Sequence, residues 1–169
     1  MKIKRYLNLV NVLFIIYCIL LIWIILFKLS FSTNEITNLV KVNPINLIPF
    51  RYYNGTINHL KEIIQNVIIF IPIGIYLKML NKNNKQVILY GFIFSLILEI
   101  SQFIFKLGTC DITDIIANTF GTILGLLGYL LLVKLFKNKV KINKVLKIIA
   151  LIVTILFCLF IALLLIANM

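Results

Sequence analysis

The sequence predicts an all-α fold, a polytopic membrane helical bundle of about five transmembrane helices with its N-terminus inside. The 169-residue chain is 62% hydrophobic and has a mean hydropathy of +1.09, which is too apolar for a soluble domain. It contains five apolar runs of roughly 20 residues, the length that crosses a bilayer. Its basic residues concentrate between alternate runs, which is typical of polytopic membrane proteins.

The five predicted spans follow one another with short connections, apart from one long loop. The first run is longer than a signal-peptide core and is followed by Lys28 rather than by a small-residue cleavage site, so we expect it to remain as a membrane helix. No space is left for a folded extramembrane domain, which predicts a single membrane domain over residues 1–169. The spans are Tyr6–Phe27, Ile63–Leu80, Val87–Phe105, Ile115–Val133 and Val145–Ala167.

The orientation follows from the distribution of Lys and Arg. If the N-terminus is inside, twelve of the 17 basic residues lie on the inner side and five on the outer side. An asymmetry of this size favours an inner N-terminus and an outer C-terminus. All five acidic residues then fall on the outer side or in the outer half of the membrane: Glu35, Glu62, Glu99, Asp111 and Asp114.

The charge and the cysteines exclude several classes of protein. A net charge of +12 in a membrane protein reports orientation and contact with anionic lipid, so we expect no nucleic-acid partner. The chain has an odd number of cysteines, and they are far apart: Cys18, Cys110 and Cys158. This predicts packing residues rather than a disulfide or zinc framework. We expect no metal and no cofactor.

Polar residues inside the third and fourth spans recur at helical spacing. On a helix over Val87–Phe105 they share one face, and the fourth helix has a second face of polar and small residues. At about 1.5 Å of rise per residue, Glu99 and Gln102 lie at depths similar to that of Asn118, which predicts one shared cavity. The face on the third helix consists of Gly91, Ser95, Glu99, Gln102 and Lys106. The face on the fourth helix consists of Asp111, Asp114, Asn118, Gly121, Gly125 and Gly128.

The loop from Lys28 to Glu62 contains an apolar patch between Pro44 and Pro49. Proline restricts its own backbone and that of the residue before it, so this patch should be extended or kinked at the membrane interface, where it could cap the cavity. After a turn at Asn54, Thr56 is a candidate N-cap for the second helix.

One ordered set of residues recurs in a known family: Asn46 to Phe50, Asn66, Phe70, Pro72, Gly74, Glu99, Gln102, Asp111, Asp114, Asn118, Gly121 and Gly125. With this set, the chain resembles the VanZ-like family over about residues 43–129. One departure is that members often have an arginine shortly before the first aspartate, whereas this chain has Lys106 and then Leu107 to Cys110. The resemblance implies a multi-pass protein of the bacterial cell membrane, in a family named for a member that raises resistance to teicoplanin.

We take eight of the polar residues as candidate ligand-binding residues. Each has a structural alternative. Glu99 and Gln102 could make helix-to-helix hydrogen bonds, whereas Asp111 and Asp114 could cap the fourth helix. Gly121 and Gly125 favour close packing of the third and fourth helices. For His59 with Glu62, a metal site is the weaker interpretation. The candidates are Glu99, Gln102, Asp111, Asp114, Asn118, Asn66, Asn46 and Arg51.

Three function classes remain open. The first is a cell-envelope protein that binds an outer-leaflet ligand through the acidic pocket, with membrane lipids and either a lipid-linked cell-wall precursor or a glycopeptide antibiotic as partners. The second is a membrane enzyme in which Glu99 and an aspartate act on a lipid-linked phosphate or sugar. The third is a proton-coupled carrier, for which the sequence has carboxylates but no visible inverted repeat.

Overall fold

The computed structural model describes residues 2–27, 45–50, 56–107 and 110–167 of the chain. Within these residues the protein forms five helices and two strands of two residues each. In chain order they are α1 (Lys2–Phe27), β1 (Ile45–Asn46), α2 (Thr56–Met79), α3 (Asn84–Ile104), β2 (Cys110–Asp111), α4 (Ile112–Phe136) and α5 (Lys139–Ala167).

All five helices are long and apolar enough to cross a membrane, which confirms the predicted fold class. Most begin before the predicted span, because hydropathy does not detect the polar residues of a first helical turn. The start of α3 shows this clearly. Asn83 and Gln86 form a capping box, in which the side chain of each accepts the backbone N–H of the other, at 2.8 and 3.0 Å.

The helices α2 and α4 pack most closely, along a ridge of glycines. A Cβ atom on Gly121 would overlap the carbonyl oxygen of Val67, and one on Gly125 would overlap that of Ile71. From the opposite side, a Cβ on Gly74 would overlap the backbone of α4 at Thr122. The expectation that this ridge joins the third and fourth helices is therefore wrong, since the ridge faces the second helix.

The polar faces of α3 and α4 do meet, as their spacing predicts. Asn118 donates from Nδ2 to the Ser95 hydroxyl at 3.0 Å, and both side chains are buried. One turn deeper, Gly91 leaves room for the side chain of Thr122. The α4 helix thus packs Gly121 and Gly125 on one side against α2, and polar residues on another side against α3.

Pro72 does not break α2, which is helical on both sides of it. A proline in a helix leaves the carbonyl four residues earlier without its usual donor, and neighbouring groups must compensate in a membrane. For Pro72 that carbonyl belongs to Ile68. The Tyr17 hydroxyl of α1 donates to the next carbonyl, that of Ile69.

The strand β1 pairs in parallel with β2, so that Ile45 lies beside Cys110 and Asn46 beside Asp111. The proline-flanked patch is therefore extended at Ile45–Asn46, as expected, and lies at the entrance to α4. The last helix, α5, is largely exposed, as a lipid-facing helix would be. The Tyr129 hydroxyl of α4 donates to Asn143 Oδ1 of α5 at 2.7 Å.

Candidate functional site

Glu99 is buried in the last turns of α3, with 1% of its surface exposed. Its position follows from the polar face of that helix, which turns away from lipid toward α4. Glu99 Oε2 accepts the backbone N–H of Asp111 at 3.0 Å. A carboxylate from one helix therefore satisfies a backbone donor at the beginning of the next.

Asp111 is the N-cap of α4, which confirms that interpretation of the residue. Its backbone is extended, and Oδ1 accepts the N–H of Thr113 at 2.7 Å. Its second oxygen, Oδ2, accepts from Asn46 Nδ2 at 2.9 Å. The capping role therefore uses one carboxylate oxygen, while the other joins α4 to the strand β1.

Asp114 lies one turn further along α4, where negative charge is favourable at a helix N-terminus. Asn66 of α2 donates from Nδ2 to Asp114 Oδ1 at 2.7 Å. The carboxylates of Asp114 and Asp111 are both close enough to interact electrostatically with Glu99. We call these three carboxylates, from Glu99, Asp111 and Asp114, the acidic cluster.

Gln102 and Asn118 make their amide hydrogen bonds away from the acidic cluster. Gln102 Nε2 donates to the carbonyl of Ile25 in α1 at 3.1 Å, and Asn118 Nδ2 donates to Ser95. Both side chains are buried, at 7% and 1% exposure. Among the described residues, neither side-chain oxygen has a hydrogen-bond partner. Two unsatisfied acceptors therefore lie on the same polar faces as Glu99 and Asp114.

Cys110 belongs to the surroundings of the acidic cluster, although the sequence suggested only a packing residue. Burial raises the pKa of its thiol, and the negative charges of Glu99, Asp111 and Asp114 raise that pKa further. A thiol directly before an N-cap aspartate is the signal that could have identified it.

The segment 45–50 forms one edge of the site. The backbone N–H of Phe50 donates to Thr113 Oγ1 at 3.0 Å, and the N–H of Ile48 donates to Asn46 Oδ1 at 3.3 Å. Its apolar side chains remain exposed, most of all Leu47 at 70%. Thr113 was not predicted as part of the site, and its role is to hold this segment against α4.

Lys106 is exposed and has a left-handed backbone, with φ of 55°, directly after Phe105, the C-cap of α3. The N–H groups of Lys106 and Leu107 return to the carbonyls of Phe103 and Gln102, which closes the helix end. In this position Lys106 terminates a helix, where a cation is also favoured by the helix dipole.

Two sequence-based candidates lie outside the described residues, namely Arg51 and the side chain of His59. Within the described part of the chain, no group of three or more His, Cys, Asp or Glu side chains converges as metal ligands would. Of the eight predicted site residues, five are joined through the hydrogen bonds and electrostatic contacts of the acidic cluster: Glu99, Asp111, Asp114, Asn46 and Asn66.

Comparison with known proteins connects this arrangement to a family. The model of the VanZ/LLP1 family matches residues 14–137. This chain belongs to the VanZ family. Protein VanZ of Enterococcus faecium is 39% identical to it over 136 residues, which cover 78% of this chain and 79% of the relative. No solved structure is significantly similar to this VanZ-family chain.

The matched region includes α1 from residue 14 onward, which the residue-based resemblance over 43–129 left out. Family membership and the five spanning helices identify a multi-pass bacterial membrane protein.

Proposed function

We propose that this protein binds a ligand at the outer face of the bacterial membrane through the acidic cluster, and that this binding contributes to teicoplanin-type glycopeptide resistance. The observation that supports the proposal is that Glu99 of α3 bonds to Asp111 and interacts electrostatically with Asp111 and Asp114, at one end of a membrane bundle. Family membership supports the resistance part of the proposal, whereas the positions of the three carboxylates support the ligand site.

The cost of this cluster argues for a role beyond packing. An Asp at the centre of a membrane helix costs about 2.5–3.5 kcal/mol on insertion scales, which is an upper value for carboxylates near helix ends, whereas a helix-to-helix hydrogen bond typically contributes about 0.6 kcal/mol. The hydrogen-bond donors that hold Glu99 and Asp111 are neutral, being backbone N–H groups and the amide of Asn46. A ligand that brings positive charge or several donors would offset the remaining cost.

The chemistry of the cluster favours a ligand rich in hydrogen-bond donors. Ionised carboxylates only accept hydrogen bonds, and the unpartnered side-chain oxygens of Gln102 and Asn118 are two more acceptors on the same helix faces. Amino groups and sugar hydroxyls suit such a site, whereas a phosphate would be repelled by it. Both candidate ligand classes, a lipid-linked cell-wall precursor and a glycopeptide antibiotic, offer amino or sugar groups.

A membrane enzyme is the second candidate, because Glu99 lies close to a second carboxylate and such pairs can supply an acid and a base. A measurement of turnover distinguishes an enzyme from a binding protein. An enzyme would consume a lipid-linked precursor in a purified system, whereas a binding protein would leave its amount unchanged.

Glu99→Gln tests the proposal, since glutamine keeps the size of the side chain and an acceptor for the Asp111 N–H but removes the charge. We expect the variant to fold and insert, to bind radiolabelled lipid-linked precursor or teicoplanin about 10- to 100-fold more weakly, and to lose its effect on teicoplanin tolerance in a host lacking the native copy. Glu62→Gln, which removes the same charge from an exposed side chain of α2, is the control. A Glu99→Gln variant with full binding and full tolerance would exclude this function for the cluster.

A further inference from the structure

At the end of the bundle opposite the acidic cluster, two connecting turns touch. One turn joins α2 to α3 and the other joins α4 to α5. Lys139 Nζ, at the start of α5, donates to Asn81 Oδ1 in the first turn at 3.0 Å. Asn81 has a φ of 61°, and the N–H groups of Asn81 and Lys82 return to the carbonyls of Lys78 and Leu77 to end α2. The position of Asn81 is therefore set by the helix end.

A second ammonium group is held at the same place. Lys78 Nζ donates to the carbonyl of Lys82 at 3.1 Å and to Asn84 Oδ1 at 2.9 Å. The ammonium groups of Lys78 and Lys139 are close enough to interact electrostatically. The acceptors that position both groups are neutral amide oxygens, so the hydrogen bonds fix the two cations without neutralising them.

The surroundings add positive charge and no described negative charge. The described acidic residues, Glu62, Glu99, Asp111 and Asp114, are each separated from this end by at least 15 helical residues, which is about 20 Å or more. The first turns of α3 and α5 contain no acidic residue. Among the residues whose side chains the structure describes, nine lysines stand at this end: Lys78, Lys82, Lys85, Lys134, Lys137, Lys139, Lys141, Lys144 and Lys147.

The depth of the two ammonium groups indicates the kind of anion. The apolar span of α2 runs over Leu60–Met79, so Lys78 stands at its last turn, and the span of α5 begins at Lys139. Two cations at the ends of spanning helices lie at the level of lipid headgroups. Phospholipid phosphates are concentrated there, and lysines near an anionic leaflet are attracted to it.

We propose that the turn junction formed by Lys78, Asn81 and Lys139 is a binding site for the phosphodiester group of an anionic phospholipid. Lys78 and Lys139 contact the phosphate, and Asn81 holds Lys139 in place. The site lies at the other end of the molecule from the acidic cluster, and it does not depend on the function proposed there.

The test uses the purified full-length protein in nanodiscs of phosphatidylcholine with or without phosphatidylglycerol. The variant K78Q/K139Q removes both junction cations, whereas K141Q/K144Q removes two charges from exposed lysines at the same end. Retained phosphatidylglycerol is counted by native mass spectrometry, and thermal unfolding is followed by circular dichroism. We expect K78Q/K139Q to lose phosphatidylglycerol retention by about 10- to 30-fold together with the lipid-dependent rise in Tm, and K141Q/K144Q to stay within about twofold of the wild type.

The variant K78R/K139R keeps both charges and should retain the lipid, which distinguishes a lost site from a damaged fold. Equal losses in K78Q/K139Q and K141Q/K144Q would mean a diffuse basic surface and would overturn the proposal. If inorganic phosphate stabilised the protein equally in pure phosphatidylcholine nanodiscs, the ligand would be a soluble anion rather than a lipid. That result would also overturn the proposal.

Discussion

Glu99 Oε2 accepts the backbone N–H of Asp111 at 3.0 Å, so a buried carboxylate near the end of α3 anchors the N-cap residue of α4. The same aspartate accepts from Asn46 through its side chain. Asp111 therefore links α3 and α4 to the strand β1. Because Glu99 has this backbone contact as well as nearby carboxylates, a substitution must preserve an acceptor if loss of charge is to be separated from loss of structure.

The thiol of Cys110 should report the charge of Glu99. Burial raises its pKa, and the Glu99 carboxylate raises it further, so at neutral pH less of the reactive thiolate is present than for an ordinary cysteine. In a background without Cys18 and Cys158, the rate of maleimide labelling should increase with pH and reach half of its maximum above the usual thiol range. Glu99→Gln should shift that midpoint to lower pH.

The control for this titration is Glu62→Gln, which should leave the midpoint where it is. An unchanged midpoint in Glu99→Gln, with the fold intact by circular dichroism, would show that the carboxylate at position 99 carries no charge that the thiol senses.

The glycine ridge predicts opposite outcomes for two substitutions on one helix. Gly125→Ala places a Cβ against the carbonyl of Ile71, so α2 and α4 must separate, which should cost about 1–3 kcal/mol and lower Tm in detergent by about 3–10 °C. Gly128→Ala meets no atom within 4 Å and should leave Tm unchanged or slightly higher. Equal Tm values for the two variants would mean that the close approach of α2 and α4 is not what stabilises the bundle.

The segment 45–50 should loosen when Asn46 is replaced by leucine. The variant loses the hydrogen bond to Asp111 and the acceptor for the Ile48 N–H. Amide exchange in this segment, followed by mass spectrometry, should accelerate by about tenfold, because two hydrogen bonds of modest net strength are lost. The Tm of the bundle should change little. Leu47→Ala, an exposed change in the same segment, is the control, and equal exchange in both variants would contradict the role given to Asn46.

The predicted inner N-terminus places Cys110 outside and the turn between α2 and α3 inside. A membrane-impermeant maleimide should label Cys110 on intact cells. A cysteine replacing Lys85, in a background without native cysteines, should be labelled only after permeabilisation. Lys85 is exposed and suits this substitution, whereas the nearby Asn83 caps α3 and its loss would cost about 1 kcal/mol. Labelling of position 85 alone on intact cells would reverse the orientation.

Much of the acidic site could be predicted from spacing. Glu99 and Gln102 lie on one helical face, and Asp111 and Asp114 begin the next helix, so a short hairpin had to bring Glu99 near the aspartates. The role of Asp111 as an N-cap was also visible in the order of residues. Spacing could not predict the hydrogen-bond partner of each side-chain amide. Gln102 donates to the carbonyl of Ile25 in α1, and Asn118 donates to Ser95.

The sequence by itself determined the five membrane helices, because a bilayer requires about 20 apolar residues per span and each run satisfies that requirement locally. It also determined which faces of α3 and α4 are polar. Only the tertiary structure decided that Gly121 and Gly125 of α4 face α2 and that β1 lies beside β2. Periodicity shows which residues share a face, but the neighbour of that face depends on how closely the backbones can approach, a property of two helices together.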